Sequence, residues 1–223
     1  MLGTRPDISY AIIKMAQFAS NPSSDHMNKA KQIIYYLGST PDLSLVFDGG
    51  SDKDIIAFCD SDWASDKIKH KSQTGYFFQL AGALISWQSC AQKTIALSST
   101  EAEYVALCDC CKQAKWIKTL LSELRINVGP VPVNSDNQGS IFLGSNPVQG
   151  NRSKRIDVQY HFVWQCIEDK EAKLYFVKGA ENPADMFTKA LGHNKFSKFR
   201  GQLGFENKWL LIQLNANVEL GAT

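Results

Sequence analysis

Apolar residues recur most clearly at helical spacing between Ser98 and Leu124. Ala106, Leu107, Cys110, Ala114, Ile117, Leu121 and Leu124 form one stripe. At roughly 100° per residue, all of them fall within about 60° of Glu103, which puts that carboxylate at the end of a buried face. Glu101 points to roughly the opposite side. Ser98-Ser99-Thr100 supplies N-cap hydroxyls, and both Ser98-x-x-Glu101 and Thr100-x-x-Glu103 fit a capping box. Glu101 therefore reads as a capping or solvated acid. Glu103 reads as a buried one that needs a partner, because burying an unpaired charge is costly.

The same reading predicts the remaining elements. Residues 1 to about 48 have a helical pattern. Thr4 can cap a first helix, with Pro6 and Asp7 in its first turn and Ile8, Ile12, Met15 and Ala19 as its stripe. Asn21-Pro22-Ser23-Ser24 breaks it. Met27, Ala30, Ile34 and Leu37 mark a second helix. Ile55 to Asp60 suits a central strand. Gly75 to Leu80, a turn at Ala81-Gly82 and Ala83 to Trp87 read as a hairpin. After the long helix come a strand from Val131 to Val133, a short helix from Asn137 to Leu143 and a loop from Gly144 to Ser153. A helix carrying Ile156, Tyr160, Val163 and Ile167 follows, then a strand from Lys173 to Val177. Asn182, as N-cap, and Pro183 open a final helix. Three antiparallel strands, a helix, then strand, helix, helix, strand and helix describe a mixed sheet flanked by helices.

The length of 223 residues suits one full domain and an appendage. The expected division is a helical extension over 1–50, a main domain over 51–204 and a tail over 205–223, with Gly49-Gly50-Ser51 at the first boundary. The net charge of +2 is too small to argue for a polyanionic partner. Lys67, Lys69, Lys71, Arg152, Lys154 and Arg155 read equally as a phosphate-tracking surface or as solvated loops. Of the six cysteines, Cys108 and Cys111 have C-x-x-C spacing. They lie inside the long helix without a second pair, so they read as small apolar residues rather than zinc ligands. There is no signal-peptide pattern and no run of about 18 apolar residues, so an intracellular, reduced, soluble protein without a membrane is expected.

Four acids take strategic positions. Asp60 ends a strand, Glu103 lies early in the central helix, Asp136 ends the next strand and Asp185 opens the last helix. In open sheets, function gathers at strand ends beside helix starts. Crowded carboxylates shift one another's pKa, and a hard divalent cation relieves the crowding. Two such ions about 4 Å apart assist phosphodiester hydrolysis. Each acid alone also reads as a cap or a helix-dipole partner, and Asp62 rivals Asp60.

Several stretches, in order, resemble one family. They are Phe58-Cys59-Asp60-Ser61-Asp62-Trp63-Ala64, Lys71-Ser72-Gln73-Thr74-Gly75-Tyr76, Ile85-Ser86-Trp87 and Ala96 to Tyr104. Asp136-Asn137-Gln138 and Asn182-Pro183-Ala184-Asp185 with Thr188-Lys189 complete the set. Together they resemble the ribonuclease H domain of a copia-type retrotransposon Pol polyprotein. Thr4-Arg5-Pro6-Asp7-Ile8 and Lys31 to Leu37 resemble the end of the same polyprotein's reverse transcriptase.

The resemblance implies a ribonuclease H-like α/β fold with a mixed five-stranded sheet and a short helical N-terminal extension. It implies cleavage of the RNA strand of RNA–DNA hybrids by two Mg²⁺ ions, with Mn²⁺ as an alternative, held by Asp60, Glu103, Asp136 and Asp185. Ser99, Thr100, Asn137 and Gln138, with Lys71 and Arg155, are the implied substrate contacts, and the reverse transcriptase portion is the implied partner. A cytoplasmic particle or the nucleus is the implied location. The family's usual His after the last strand is missing from Lys178-Gly179-Ala180-Glu181. Gly150 and Arg155 stand where copia-type relatives tend to carry His, and His161 reads as a helix-surface or packed residue. A catalytically decayed binding or structural remnant is the alternative. With no adjacent Asp-Asp pair, polymerase chemistry is not expected.

Overall fold

The computed structural model describes residues 3–47, 54–66, 69–146 and 154–207. The expected boundary at Gly49-Gly50-Ser51, Lys67, Gly150, Arg152 and the apolar tail patch at Trp209 lie outside the described residues, as do the side chains of Lys154, Arg155 and Ile156. A 3-10 turn, Pro6–Ile8, leads into α1 (Ser9–Ala16) and then α2 (Ser24–Ser39). β1 is Leu43–Leu45, β2 Ile55–Asp62, β3 Gln73–Leu80 and β4 Ala83–Ala91. The long helix α3 spans Ser99–Glu123, followed by β5 (Val131–Ser135), α4 (Gln138–Ser145), α5 (Lys154–Glu168) and β6 (Ala172–Phe176). Two 3-10 turns, Gly179–Glu181 and Pro183–Phe187, precede α6 (His193–Gln202) and β7 (Phe205–Asn207).

The main sheet is mixed and five-stranded, in the order β4-β3-β2-β5-β6. β2, β3 and β4 pair antiparallel, while β5 joins β2, and β6 joins β5, in parallel. The hairpin turn uses Ala81 and Gly82 at φ 52° and 77°. Two left-handed residues of this kind match the twist of the strands they join.

Alternation along β2 assigns its two faces. Ala57 and Cys59 join the core under α3 and α5, together with Leu107, Cys110, Cys111, Ala114, Ile117 and Leu121. Phe58 faces the other core, which Phe77, Leu84, Phe187, Phe199 and Leu203 fill. The stripe predicted on α3 is therefore the buried one, except at its end: Leu124, which follows the last helical residue, is 62% exposed.

Ser98 caps α3, accepting the Glu101 amide at 3.1 Å, while the Glu101 carboxylate accepts the Leu97 amide at 2.8 Å. Buried Gln92 directs its amide nitrogen at Thr74 Oγ1 (3.0 Å), the Ala102 carbonyl (2.9 Å) and Ser61 Oγ (3.3 Å). That one side chain ties the start of α3 to β2 and β3.

The extension departs from its pattern in three places. Arg5, not Thr4, precedes the first turn, and no side chain caps it. Asp7 stands in the first turn as expected. It is buried and held by Arg5 at 3.0 and 2.9 Å and by the Tyr36 hydroxyl at 2.6 Å, with Arg200 donating to Tyr36 at 3.1 Å. On α2, Ala30 and Leu37 are half-buried, but Met27 and Ile34 are exposed. The expected all-helical segment also contains β1, which pairs antiparallel with β7.

The expected final helix is broken in two. A 3-10 turn carries Asp185, and α6 begins only at His193. The 3-10 turn lies flat on the sheet because Gly75, the register partner of Asp60, has no side chain. A Cβ at Gly75 would sit 2.7 Å from Phe187 Cβ and 2.7 Å from Thr188 Cγ2. Gly75→Ala is expected to destabilise the chain by about 1–3 kcal/mol, the usual range for overpacking. Urea denaturation measures this as a lowered midpoint at unchanged m-value.

Candidate active site

Asp60 stands near the end of β2, one residue beyond Cys59, whose carbonyl accepts the Asn182 side-chain amide at 2.9 Å. Asn182 Oδ1 also caps the 3-10 turn through the Ala184 amide at 3.1 Å. One buried asparagine thus fixes the segment bearing Asp185 against the strand bearing Asp60. Glu103 lies in the second turn of α3 and is buried. Asp136 follows β5 directly, and Gly179 leaves room for it: a Cβ there would lie 2.8 Å from Asp136 Oδ2.

Ligand atoms of Asp60, Glu103 and Asp136 all lie within 4.8 Å of one another, the only such group of three or more acid, His or Cys side chains among the described residues. Glu103 Oε2 is buried with no hydrogen-bond partner among them. A buried oxygen without a donor, inside a group of three carboxylates, is what a hard cation satisfies. The donor set, all carboxylate oxygen, suits a divalent ion of the magnesium type.

Asp185 stands beside this group and is buried. Its Oδ1 pairs with Lys189 Nζ at 2.8 Å and its Oδ2 with Lys195 Nζ at 2.5 Å. Lys189 Nζ also lies 3.4 Å from Asp60 Oδ2, which accepts the Thr188 hydroxyl as well. Asp62, the rival to Asp60, is not in the three-acid group; its charge acts on the Tyr10 phenol, whose pKa burial and then Asp62 raise.

Crowding shows in the titration of the acids. Burial first, then Asp60 and Asp136, push Glu103 up to about 9. Burial also raises Asp60 to about 6 against the pull of Lys189 and Thr188, with Asp185 and Asp136 adding to the rise. Asp136 is raised too, chiefly by burial.

The predicted substrate contacts fall on two neighbouring helix starts. Ser99 and Thr100 open α3, and Asn137 and Gln138 open α4. A Cβ at Gly139 would come within 3.0 Å of Thr100 Cγ2, so the two starts abut. Ser99 and Gln138 are exposed, and Asn137 spends its side-chain oxygen capping α4 through Ser140 at 2.8 Å. Lys71 is half-buried before β3. The Cys108–Cys111 run is buried inside α3, and His161 is exposed on α5. Sequence reasoning assigned no role to Gln92, Lys189 or Lys195. Thr188-Lys189 stood in a quoted motif, whereas nothing marked Lys195, ten residues from Asp185.

No protein-family model matches the chain. It is 40% identical over 207 residues to "Retrovirus-related Pol polyprotein from transposon TNT 1-94" of Nicotiana tabacum, covering 93% of this chain and 16% of that one. To the corresponding polyprotein from transposon RE1 of Arabidopsis thaliana it is 37% identical over 202 residues, covering 90% of this chain and 14% of that one. This chain is related to retrotransposon Pol polyproteins. The expected family and the expected mixed five-stranded sheet with its helical extension are both borne out. The domain spans about a sixth of its first relative's length. Among solved structures, the RNase H1 named LC11, in complex with an RNA/DNA hybrid, superposes with a TM-score of 0.46 at 13% identity, over 60% of this chain and 94% of that one. The acidic cluster has the donor set and spacing of a site for a divalent cation.

The raised carboxyls of Asp60 and Glu103 hold their protons to higher pH in the folded chain than in the unfolded one, where such groups titrate near pH 4. The metal-free fold therefore binds more protons than the unfolded chain across that interval. Its stability falls as pH rises through about 6 and then about 9. Thermal unfolding in EDTA is expected to show a lower Tm at pH 9 than at pH 6, and millimolar Mg²⁺ is expected to narrow that gap. A Tm insensitive to both would contradict the reading of a strained acidic centre.

Proposed function

We propose that this chain is the ribonuclease H portion of a retrotransposon Pol polyprotein and cuts the RNA strand of RNA–DNA hybrids. The observation that carries the reading is the convergence of Asp60, Glu103 and Asp136 in a domain related to such polyproteins. Asp60, Glu103 and Asp136 would hold magnesium, or manganese in its place, with Asp185 beside them as the fourth acid. Bound there, divalent ions polarise the scissile phosphate and make a water nucleophilic near neutral pH. The chain's own task is to present four carboxylates on a rigid frame: β2 through Asn182, and α3 through Gln92.

The substrate backbone lies along the abutting helix starts. Their free amides and the hydroxyls of Ser99 and Thr100 suit phosphate, and Gln138 reaches outward. Asn137 contributes by fixing α4, and Lys71 supplies flanking charge. RNA is distinguished through its shape and its 2′-hydroxyl. The reverse transcriptase portion covers α2, which buries none of its residues fully and exposes Met27, Ile34 and Tyr35. Among the described residues no helix is long and apolar enough to cross a membrane. The working location is an intracellular particle or the nucleus.

One feature favours a second reading, a remnant that binds nucleic acid without cutting it: both oxygens of Asp185 already carry lysines. A labelled RNA–DNA hybrid separates the two. Mg²⁺-dependent cleavage is expected, with Asp60→Asn reducing it by roughly 10²–10³ or more, as when a preorganised charge-stabilising group is lost. Binding without cleavage favours the remnant, and cleavage untouched by Asp60→Asn contradicts the proposal.

A further inference from the structure

The acidic centre has two unlike halves. Among the described residues Glu103 and Asp136 form no ion pair, although the charge of Lys189 reaches both, and Glu103 Oε2 has no hydrogen-bond partner. Between Asp60 and Asp185, by contrast, a cation is already in place. Lys189 Nζ lies 3.4 Å from Asp60 Oδ2 and 2.8 Å from Asp185 Oδ1.

The backbone fixes that ammonium group. Asp185 sits in the 3-10 turn, and its carbonyl accepts the Thr188 amide at 3.2 Å and the Lys189 amide at 3.0 Å. Thr188 is fully buried, and its hydroxyl donates to Asp60 Oδ2. The chain therefore enters Lys189 already pinned to both acids, and its side chain has only to fold back between them.

Charge balance points the same way. Once all four carboxylates are ionised around a bound ion, the ammonium groups of Lys189 and Lys195 leave a deficit of two charges, which one divalent ion fills. A second divalent ion would have to enter a position whose negative charge is already offset. At a few ångströms in a partly buried site, like charges repel strongly.

We propose that the Lys189 ammonium group occupies the second cation position of this centre. One divalent ion is then held tightly, by Asp60, Glu103 and Asp136. The position between Asp60 and Asp185 stays closed to another while Lys189 is in place. This rests on the metal-centre reading above and revises its stoichiometry. Lys189 acts here as a built-in competitor, and a divalent ion reaches Asp185 only when the lysine side chain swings out to solvent; it is 38% exposed on its outer side.

The test is calorimetric titration of the metal-free chain with Mg²⁺ and, in parallel, counting of bound Mn²⁺ by electron paramagnetic resonance. Wild type is expected to bind one ion tightly. Lys189→Met is expected to bind two, or to bind the second at least about tenfold more tightly than wild type does. Lys189→Gln provides a second uncharged variant should the methionine form fold poorly, and Lys189→Arg is expected to keep the single ion. Two ions of comparable affinity in wild type, or a single ion in both uncharged variants, would overturn the proposal and leave the metal centre standing. No divalent binding in wild type would overturn the metal centre itself, and this inference with it.

Discussion

Gathering three carboxylates into a buried space less than 5 Å across is the demand around which this chain is built. Nothing in a sheet or helix favours that arrangement by itself, since like charges and lost hydration both oppose it. The fold meets the demand by placing each acid on a separate element whose position is fixed by other residues. The strand carrying Asp60 is held by its hairpin and by Asn182. The helix carrying Glu103 is seated on the sheet by its apolar stripe and pinned at its start by Gln92. Burying each large apolar side chain of that stripe contributes about 1.5–3 kcal/mol. The hydrophobic effect thereby supplies what the electrostatics withhold.

Compensation for the remaining charge comes from one short segment. The 3-10 turn after Asn182 brings Asp185 to the centre and, within four residues, also brings Thr188 and Lys189. Its approach depends on a residue with no side chain, Gly75, directly opposite Asp60 in the sheet. A glycine in the middle of a strand weakens the strand unless another backbone must come close, and here one does. The acid and its counter-charge thus arrive on the same few residues, packed through the same contact.

Much of this was legible in the sequence because it is local. Helical periodicity separated Glu103 from Glu101, and the structure agrees: Glu103 is buried, while Glu101 caps the helix. Apolar runs and turn residues located every strand of the main sheet. What escaped was set by contacts distant along the chain. β1 is three residues long, too short for any period, and exists because β7, some 160 residues later, pairs with it. Nothing local marked Asp7 as the partner of Tyr36, 29 residues later. Met27 and Ile34 follow a helical repeat, yet no described partner covers them. The expected final helix gives way to a 3-10 turn, just after which Thr188 donates to Asp60, far away along the chain.

Diffraction from crystals soaked in Mn²⁺, recorded for manganese anomalous scattering, tests this account most directly. The account predicts a strong anomalous peak in contact with carboxylate oxygens of Asp60, Glu103 and Asp136. Carboxylates turned away from one another, with no manganese among them, would contradict it.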